Sequence, residues 1–148
     1  MPAVNSEIIQ KQTAATTHHG QTYLLRHHGS RFWPKSRQSK PKQFLDILGT
    51  GKSFIRMTYE RFEKLAPAEN FLVVTNARYK DLVLEQIPEL GPEQVLCEPV
   101  GRNTAPCICY AAYGLQKRDP GAKMIVTPAD HLILNEEDFR AIIGECLD

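Results

Sequence analysis

The sequence predicts an α/β domain built on a mostly parallel sheet, and three observations carry that expectation. Short apolar runs at Phe71–Thr75, Val95–Cys97 and Lys123–Thr127 are each followed by a segment of helical character. The runs are near-continuous rather than alternating, as in strands that right-handed crossovers cover on both faces. Polar and charged residues gather just after each run: beyond Thr75, at Glu98–Thr104 and at Pro128–His131. That is the edge where an open parallel sheet takes its ligands. With 148 residues, 42% hydrophobic and 24% charged, the chain is sized for one domain with a core, and disorder throughout is excluded.

The elements follow in order. Residues 1–22 are polar and aperiodic and are expected to form a flexible tail, leaving 23–148 as the domain. Tyr23–Leu25 reads as a short first strand. Residues 29–44, GSRFWPKSRQSKPKQF, form a basic loop, because Pro34 and Pro41 forbid a continuous helix. Arg31, Lys35, Arg37, Lys40 and Lys42 then stand on irregular backbone, an arrangement suited to a polyanion. Ser53–Leu65 places Phe54, Met57, Phe62 and Leu65 near helical spacing, with Ser53 as its cap. After the strand Phe71–Thr75, a helix is expected over Arg78–Ile87, stopped by Pro88. Val95–Cys97 is the next strand, Gly101-Arg102-Asn103 a turn, and Thr104–Lys117 a helix. Asp119-Pro120-Gly121 turns the chain into the strand Lys123–Thr127, and a last helix runs from Glu136 to at least Leu147.

Composition excludes several classes of function. No apolar run approaches 18 residues and residues 1–30 lack an apolar signal core, so no membrane partner and a cytoplasmic location are expected. Cys97, Cys107, Cys109 and Cys146 show no Cys-x-x-Cys spacing and read as reduced core thiols. The net charge of +1 hides a basic amino end, where residues 1–43 hold seven Lys or Arg against Glu7 alone. A nucleic-acid partner is not expected, since a recognised motif is missing and only Tyr23, Phe32, Trp33 and Phe44 are aromatic nearby. Trp33 reads as a packing anchor for the loop.

Four further patterns bear on chemistry. Gly49-Thr50-Gly51-Lys52-Ser53 invites a phosphate-loop reading, but that motif needs a glycine where Asp46 stands, and a carboxylate there opposes a phosphate. The pairs His18-His19 and His27-His28 do not make a metal site, because adjacent side chains on extended backbone point apart. Glu98–Pro106 sets an acid, a guanidinium, an amide and a hydroxyl at a strand end and helix start. Asn103 or Thr104 is there equally well an ordinary N-cap or a ligand contact. Asp130 follows an apolar strand, where a hard carboxylate oxygen either holds Mg²⁺ between phosphates or simply closes a turn. His131 has no partner at ligand spacing and reads as structural rather than zinc-binding.

From Gly29 onward the basic loop resembles the Gly-x-Arg-x-x-Pro…Pro-Lys signature of the sugar-nucleotide pyrophosphorylases, the nucleotidylyltransferases. Glu98–Pro106 resembles the Glu-Pro-x-x-Arg-Asn-Thr-Ala-Pro motif of the mannose-1-phosphate guanylyltransferases and their bifunctional isomerase relatives, and Thr127–Ile133 is similar to their Pro-x-Asp-His segment. The resemblance covers Gly29 to Leu147. It implies a Rossmann-like three-layer α/β/α nucleotidyltransferase fold with a mostly parallel sheet, incomplete here. It also implies the reaction of GTP with mannose 1-phosphate to give GDP-mannose and pyrophosphate, with Mg²⁺ as cofactor. Carried over position by position, Arg31 and Lys42 are the catalytic cations. Gly29, Ser30, Glu98, Arg102, Asn103 and Thr104 bind nucleotide, and Asp130 binds the metal.

Two departures from the family stand out. Arg26 and His27 occupy the first two glycine positions of Gly-Gly-x-Gly, where a side chain obstructs the approach of backbone to nucleotide. Residues 1–28 are accordingly expected not to be the family's native start, and the shortened strand at Tyr23–Leu25 to weaken the sheet centre. The chain ends at Asp148 inside an expected helix, ahead of the family's sugar-binding part, so a truncated and weakly active or inactive chain is expected. Two alternatives are carried: transfer to another sugar 1-phosphate, and a non-catalytic module that binds nucleotide or phosphate or self-associates as a homo-oligomer through its incomplete sheet.

Overall fold

The computed structural model describes residues 21–26, 34–98 and 104–147. These form one sheet of four strands, β1 (Gln21–Arg26), β2 (Phe71–Asn76), β3 (Val95–Glu98) and β4 (Lys123–Pro128), in the order β3-β2-β1-β4. Every neighbouring pair is parallel. β1 lies inside the sheet, with Tyr23 to Arg26 opposite Phe71 to Val74 on one side and Gln21 to Arg26 opposite Lys123 to Pro128 on the other. This corrects the expected strand at Tyr23–Leu25. Gln21 and Thr22, placed in the tail on polarity alone, join the strand because the ladder to β4 pairs them with Lys123 and Met124 through the backbone, whatever their side chains are.

Four helices pack on the sheet: α1 (Phe54–Phe62), α2 (Lys80–Gln86), α3 (Thr104–Arg118) and α4 (Glu136–Leu147). Ser53 caps α1 as expected, its hydroxyl accepting from the Arg56 amide at 3.4 Å while donating to Gln86 of α2 at 2.5 Å. α1 stops at Phe62, short of Leu65, in a tight turn ahead of Pro67. α2 starts two residues later than expected. Asn76 accepts from the Arg78 amide and winds Ala77–Tyr79 into a 3-10 turn first.

Alternation along β2 builds the layers. Phe71 and Val73 enter a core with Ile55, Tyr59 and Phe62 of α1 and Val83 of α2, against which Phe139 and Ile143 of α4 pack. Leu72 and Val74 face the other way, onto Cys107 and Ala111 of α3. The result is α1, α2 and α4 on one face and α3 on the other, the three-layer arrangement. Cover is incomplete at β4, where Lys123 and Val126 are exposed, so the expectation of strands buried on both faces holds for β2 and not for β4. Of the four cysteines only Cys107 is in the core; Cys97 is half-buried, and Cys109 and Cys146 are exposed. An apolar residue type does not dictate burial when the helix face it occupies looks outward. Among the described residues no helix is long and apolar enough to cross a membrane.

Two sets of contacts fix α1. On its buried side Phe62, with no exposed surface, meets Phe139 edge-on at a ring separation of 5.6 Å. Phe62→Ala is expected to lower unfolding free energy by about 3–5 kcal/mol in urea titrations, the range for truncating a buried aromatic. On its outer side Arg56 donates to both oxygens of Glu89 at 2.7 and 2.6 Å and to Glu60 at 2.8 Å, and Lys52 reaches Glu60 at 2.7 Å. Desolvation pushes both carboxyls up, but the bonds from Lys52 and Arg56 to Glu60, and from Arg56 to Glu89, outweigh it and hold both below the ordinary 4.5. A folded value below the unfolded one gives stability that is complete above 4.5 and is lost as pH falls through the lowered folded values. Arg56→Ala is therefore expected to cost about 1 kcal/mol or less at pH 7, since the pairs are partly exposed. In denaturant titrations at a series of pH values, its deficit against the parent chain should shrink only below pH 4.5.

Candidate functional site

The parallel strands bring their carboxyl ends to one edge, with Asn76 of β2 beside Glu98 of β3 and Arg26 of β1 beside Pro128 of β4. Just beyond β4, Ala129 is 1% exposed and Asp130 follows it. The basic loop comes to the same place. Pro41, buried and extended, opens a 3-10 turn over Lys42–Phe44, in which Gln43 and Phe44 are buried. Phe44 lies 6.0 Å from the Tyr79 ring, and the Tyr79 hydroxyl donates to the Gln38 carbonyl at 2.8 Å. Arg37 and Lys40 exchange backbone hydrogen bonds of 3.2 and 3.1 Å. So tethered to the turn after β2, the loop sets the Lys42 ammonium on the Asp130 carboxylate, side chains 12% and 17% exposed.

Lys42 and Asp130 are thus brought into contact. Glu98 is the last residue of β3, half-buried, rather than a loop residue, and Thr104 is the exposed first residue of α3. Gly29, Ser30, Arg31, Arg102 and Asn103 lie outside the described residues, as do Trp33 and the pairs His18-His19 and His27-His28. His131 is not a core histidine: the residue is exposed, and its backbone carbonyl makes the contact that matters.

That contact comes from Arg61, which sequence reasoning missed. Its side chain is 1% exposed on α1, its Nε donating to Glu136 Oε1 at 3.1 Å and its Nη2 to the His131 carbonyl at 3.3 Å. A signal was available. Arg61 stands three residues after Thr58 and seven after Phe54, on the buried stripe of an amphipathic helix. A guanidinium there needs acceptors from another element.

Gly49–Ser53 is not a phosphate loop. Gly49 and Gly51 adopt φ of 70° and 78°, and the Thr50 and Gly51 amides donate to the two oxygens of Asp46 at 3.1 and 2.7 Å. Slight desolvation acts to raise the Asp46 carboxyl, but amide bonds from Gly51, Thr50, Gly49 and Leu48 outweigh it and lower it. The loop carries its own anion, and Lys52 is directed to Glu60.

Among the described residues no group of three or more His, Cys, Asp or Glu could cage a metal. Asp130 offers a single hard carboxylate already facing a cation. Mg²⁺ suits such a donor, since it takes one or two carboxylates and completes its shell with phosphates and water.

Residues 28–145 match the nucleotidyl transferase family. The chain is 42% identical over 115 residues to mannose-1-phosphate guanylyltransferase RfbM of Salmonella typhimurium, covering 75% of this chain and 24% of that protein. It is 39% identical over 117 residues to the xanthan biosynthesis protein XanB of Xanthomonas campestris, covering 78% and 25%. The chain thus spans about a quarter of the length of these curated relatives. In three dimensions it is similar to the mannose-1-phosphate geranyltransferase of Thermus thermophilus, with a TM-score of 0.72 and 29% identity over 85% of this chain and 37% of that one. The incomplete α/β fold with its parallel sheet agrees with that neighbour, and the chain belongs to the nucleotidyl transferase family.

Proposed function

We propose that this chain forms the nucleotide- and metal-binding part of a mannose-1-phosphate guanylyltransferase, which joins GTP and mannose 1-phosphate into GDP-mannose and releases pyrophosphate. The observation that carries the reading is the contact of Lys42 with Asp130 at the carboxyl edge of the sheet. A phosphate competes for the ammonium and a divalent cation for the carboxylate. The pair thus sets together the two charges that a phosphate and a divalent cation would each meet.

The chemistry needs no side-chain base, because the attacking sugar phosphate is already ionised. Its oxygen attacks the α-phosphorus of GTP in line, and pyrophosphate leaves. Lys42 and Arg31 neutralise charge on the phosphates as it builds, and the planar fork of Arg31 suits two oxygens of the leaving group. Asp130 would hold Mg²⁺, which would supply positive charge to offset that of the phosphates. Gly29 and Ser30 contribute to nucleotide binding. Glu98 and Arg102–Thr104 recognise guanine and its phosphates; a carboxylate complements the adjacent N–H donors of the base, and Thr104 opens a fifteen-residue helix whose amino end favours anions.

Thermal unfolding of the 148-residue chain in Mg²⁺, with and without GTP, tests this. Ligand at about 100 times its Kd stabilises by about 2.7 kcal/mol, a rise of roughly 5–10 °C for a domain of this size. Lys42→Ala and Arg31→Ala should abolish the rise, and Asp130→Asn should abolish the part that depends on Mg²⁺. No GTP-dependent rise in the parent chain would sink the reading.

A further inference from the structure

We infer that Arg61 is a positioning residue for Asp130: its buried guanidinium anchors the carbonyl of the next residue, His131, and so sets where the carboxylate meets a cation. The inference rests on the reading of Asp130 as the metal carboxylate.

Asp130 stands between two fixed points. On one side is Ala129, 1% exposed; on the other is the His131 carbonyl, held by Arg61 Nη2 at 3.3 Å. The same guanidinium donates from Nε to Glu136, the first residue of α4, at 3.1 Å. Glu136 in turn accepts from Arg140 at 3.3 Å. One planar fork therefore spans both ends of the segment from Asp130 to Glu136 and ties it to α1. α1 itself is locked to α4 by Phe62 on Phe139. A lysine carries its donors on one nitrogen at the end of a flexible stem, so it does not hold two acceptors in fixed directions as the planar guanidinium does.

Stability does not explain the choice of residue. A buried ion pair is often matched or bettered by well-packed apolar side chains, because desolvating the charges costs as much as their attraction returns. Helix α1 buries Phe54, Ile55, Tyr59 and Phe62 on its own account. What an apolar residue cannot supply at position 61 is a donor for a carbonyl one residue from Asp130. Outer partners of this kind, which orient a metal ligand without touching the metal, change metal affinity by about 10–100-fold when removed.

The test uses the full chain with Arg61→Met, which keeps volume and loses the donors, and Arg61→Lys, which keeps the charge and guards against loss of folding. Amide hydrogen exchange over residues 129–135 and GTP binding titrated with Mg²⁺ are both measured. In Arg61→Met, exchange at Asp130–Leu132 should quicken by about tenfold while residues 71–76 are unchanged. The Mg²⁺ concentration for half-maximal GTP binding should rise by about tenfold, with affinity in chelator unchanged and Arg61→Lys in between. Unchanged exchange, or an equal loss of GTP affinity with and without Mg²⁺, would overturn the inference. If the parent chain shows no Mg²⁺-dependent GTP binding yet exchange responds as expected, the metal reading falls and the anchoring of Asp130 by Arg61 stands.

Discussion

The double ladder of β1 is the constraint on which the site depends. Among the described strands β1 alone pairs with β4, and through β2 it carries β3 as well. Without it the sheet is two separate pieces, one bearing Asn76 and Glu98 and the other ending just before Asp130. The parallel register then sets the chemistry: strands that run the same way, paired Arg26 to Pro128 and Asn76 to Glu98, end together. Residues as distant in sequence as Lys42 and Asp130 meet because one backbone segment is hydrogen-bonded on both sides. Parallel pairing over such separations is entropically demanding, and the apolar burial on both faces of β2 offsets that cost.

Around that edge the structure accepts polar burial that a core built for stability alone would avoid. Gln43, next to Lys42, is fully buried with neither amide atom hydrogen-bonded, and the buried hydroxyls of Thr58 and Thr75 are likewise unpartnered. Each such group costs about 1–3 kcal/mol. The Arg61 side chain is buried, and those of Lys42 and Asp130 are mostly so. These polar groups fall on the basic loop, on the helix packed against it and at the end of β2. The apolar centre of the sheet carries none of them. Apolar burial thus dominates β2, α1 and α2, with these polar groups set into it.

Much of this is legible from residue order. The strand–helix alternation predicts the layers, and the placing of Glu98 and Asp130 after apolar runs predicts the edge. What misleads shares a cause. β1 reads as short because Gln21 and Thr22 are polar, but their backbone pairs with Lys123 and Met124 of β4, and pairing sets the strand's length. α2 reads as long because Arg78 fits a helical period, but the Asn76 side chain captures the Arg78 amide and tightens the first turn. Residue type alone sends Cys109 and Cys146 to the core, yet it says nothing about which face of a helix looks inward. Arg61 escapes notice because its partners, His131 and Glu136, lie 70 and 75 residues away. Local pattern finds elements and edges; contacts across such separations come only with the fold.

The segment Asp46–Ser53 shows why a motif must be read with its surroundings. It has the glycines at positive φ, the backbone amides, the lysine and the hydroxyl that a phosphate loop uses. It also has Asp46, whose oxygens take the Thr50 and Gly51 amides, leaving those donors no need of an outside anion. Lys52 is engaged by Glu60, and the Ser53 hydroxyl by the first turn of α1 and by Gln86. The same parts that would bind a ligand here bind the chain to itself, and they fix the start of the helix that carries Arg61. At the sheet edge the balance is the opposite. Lys42 and Asp130 face each other where the strands end, and under the proposed function a phosphate and a cation together replace their mutual contact with two of the same kind. The difference between a structural loop and a site therefore lies in what a ligand can still satisfy once the chain has folded, more than in which residue types are present.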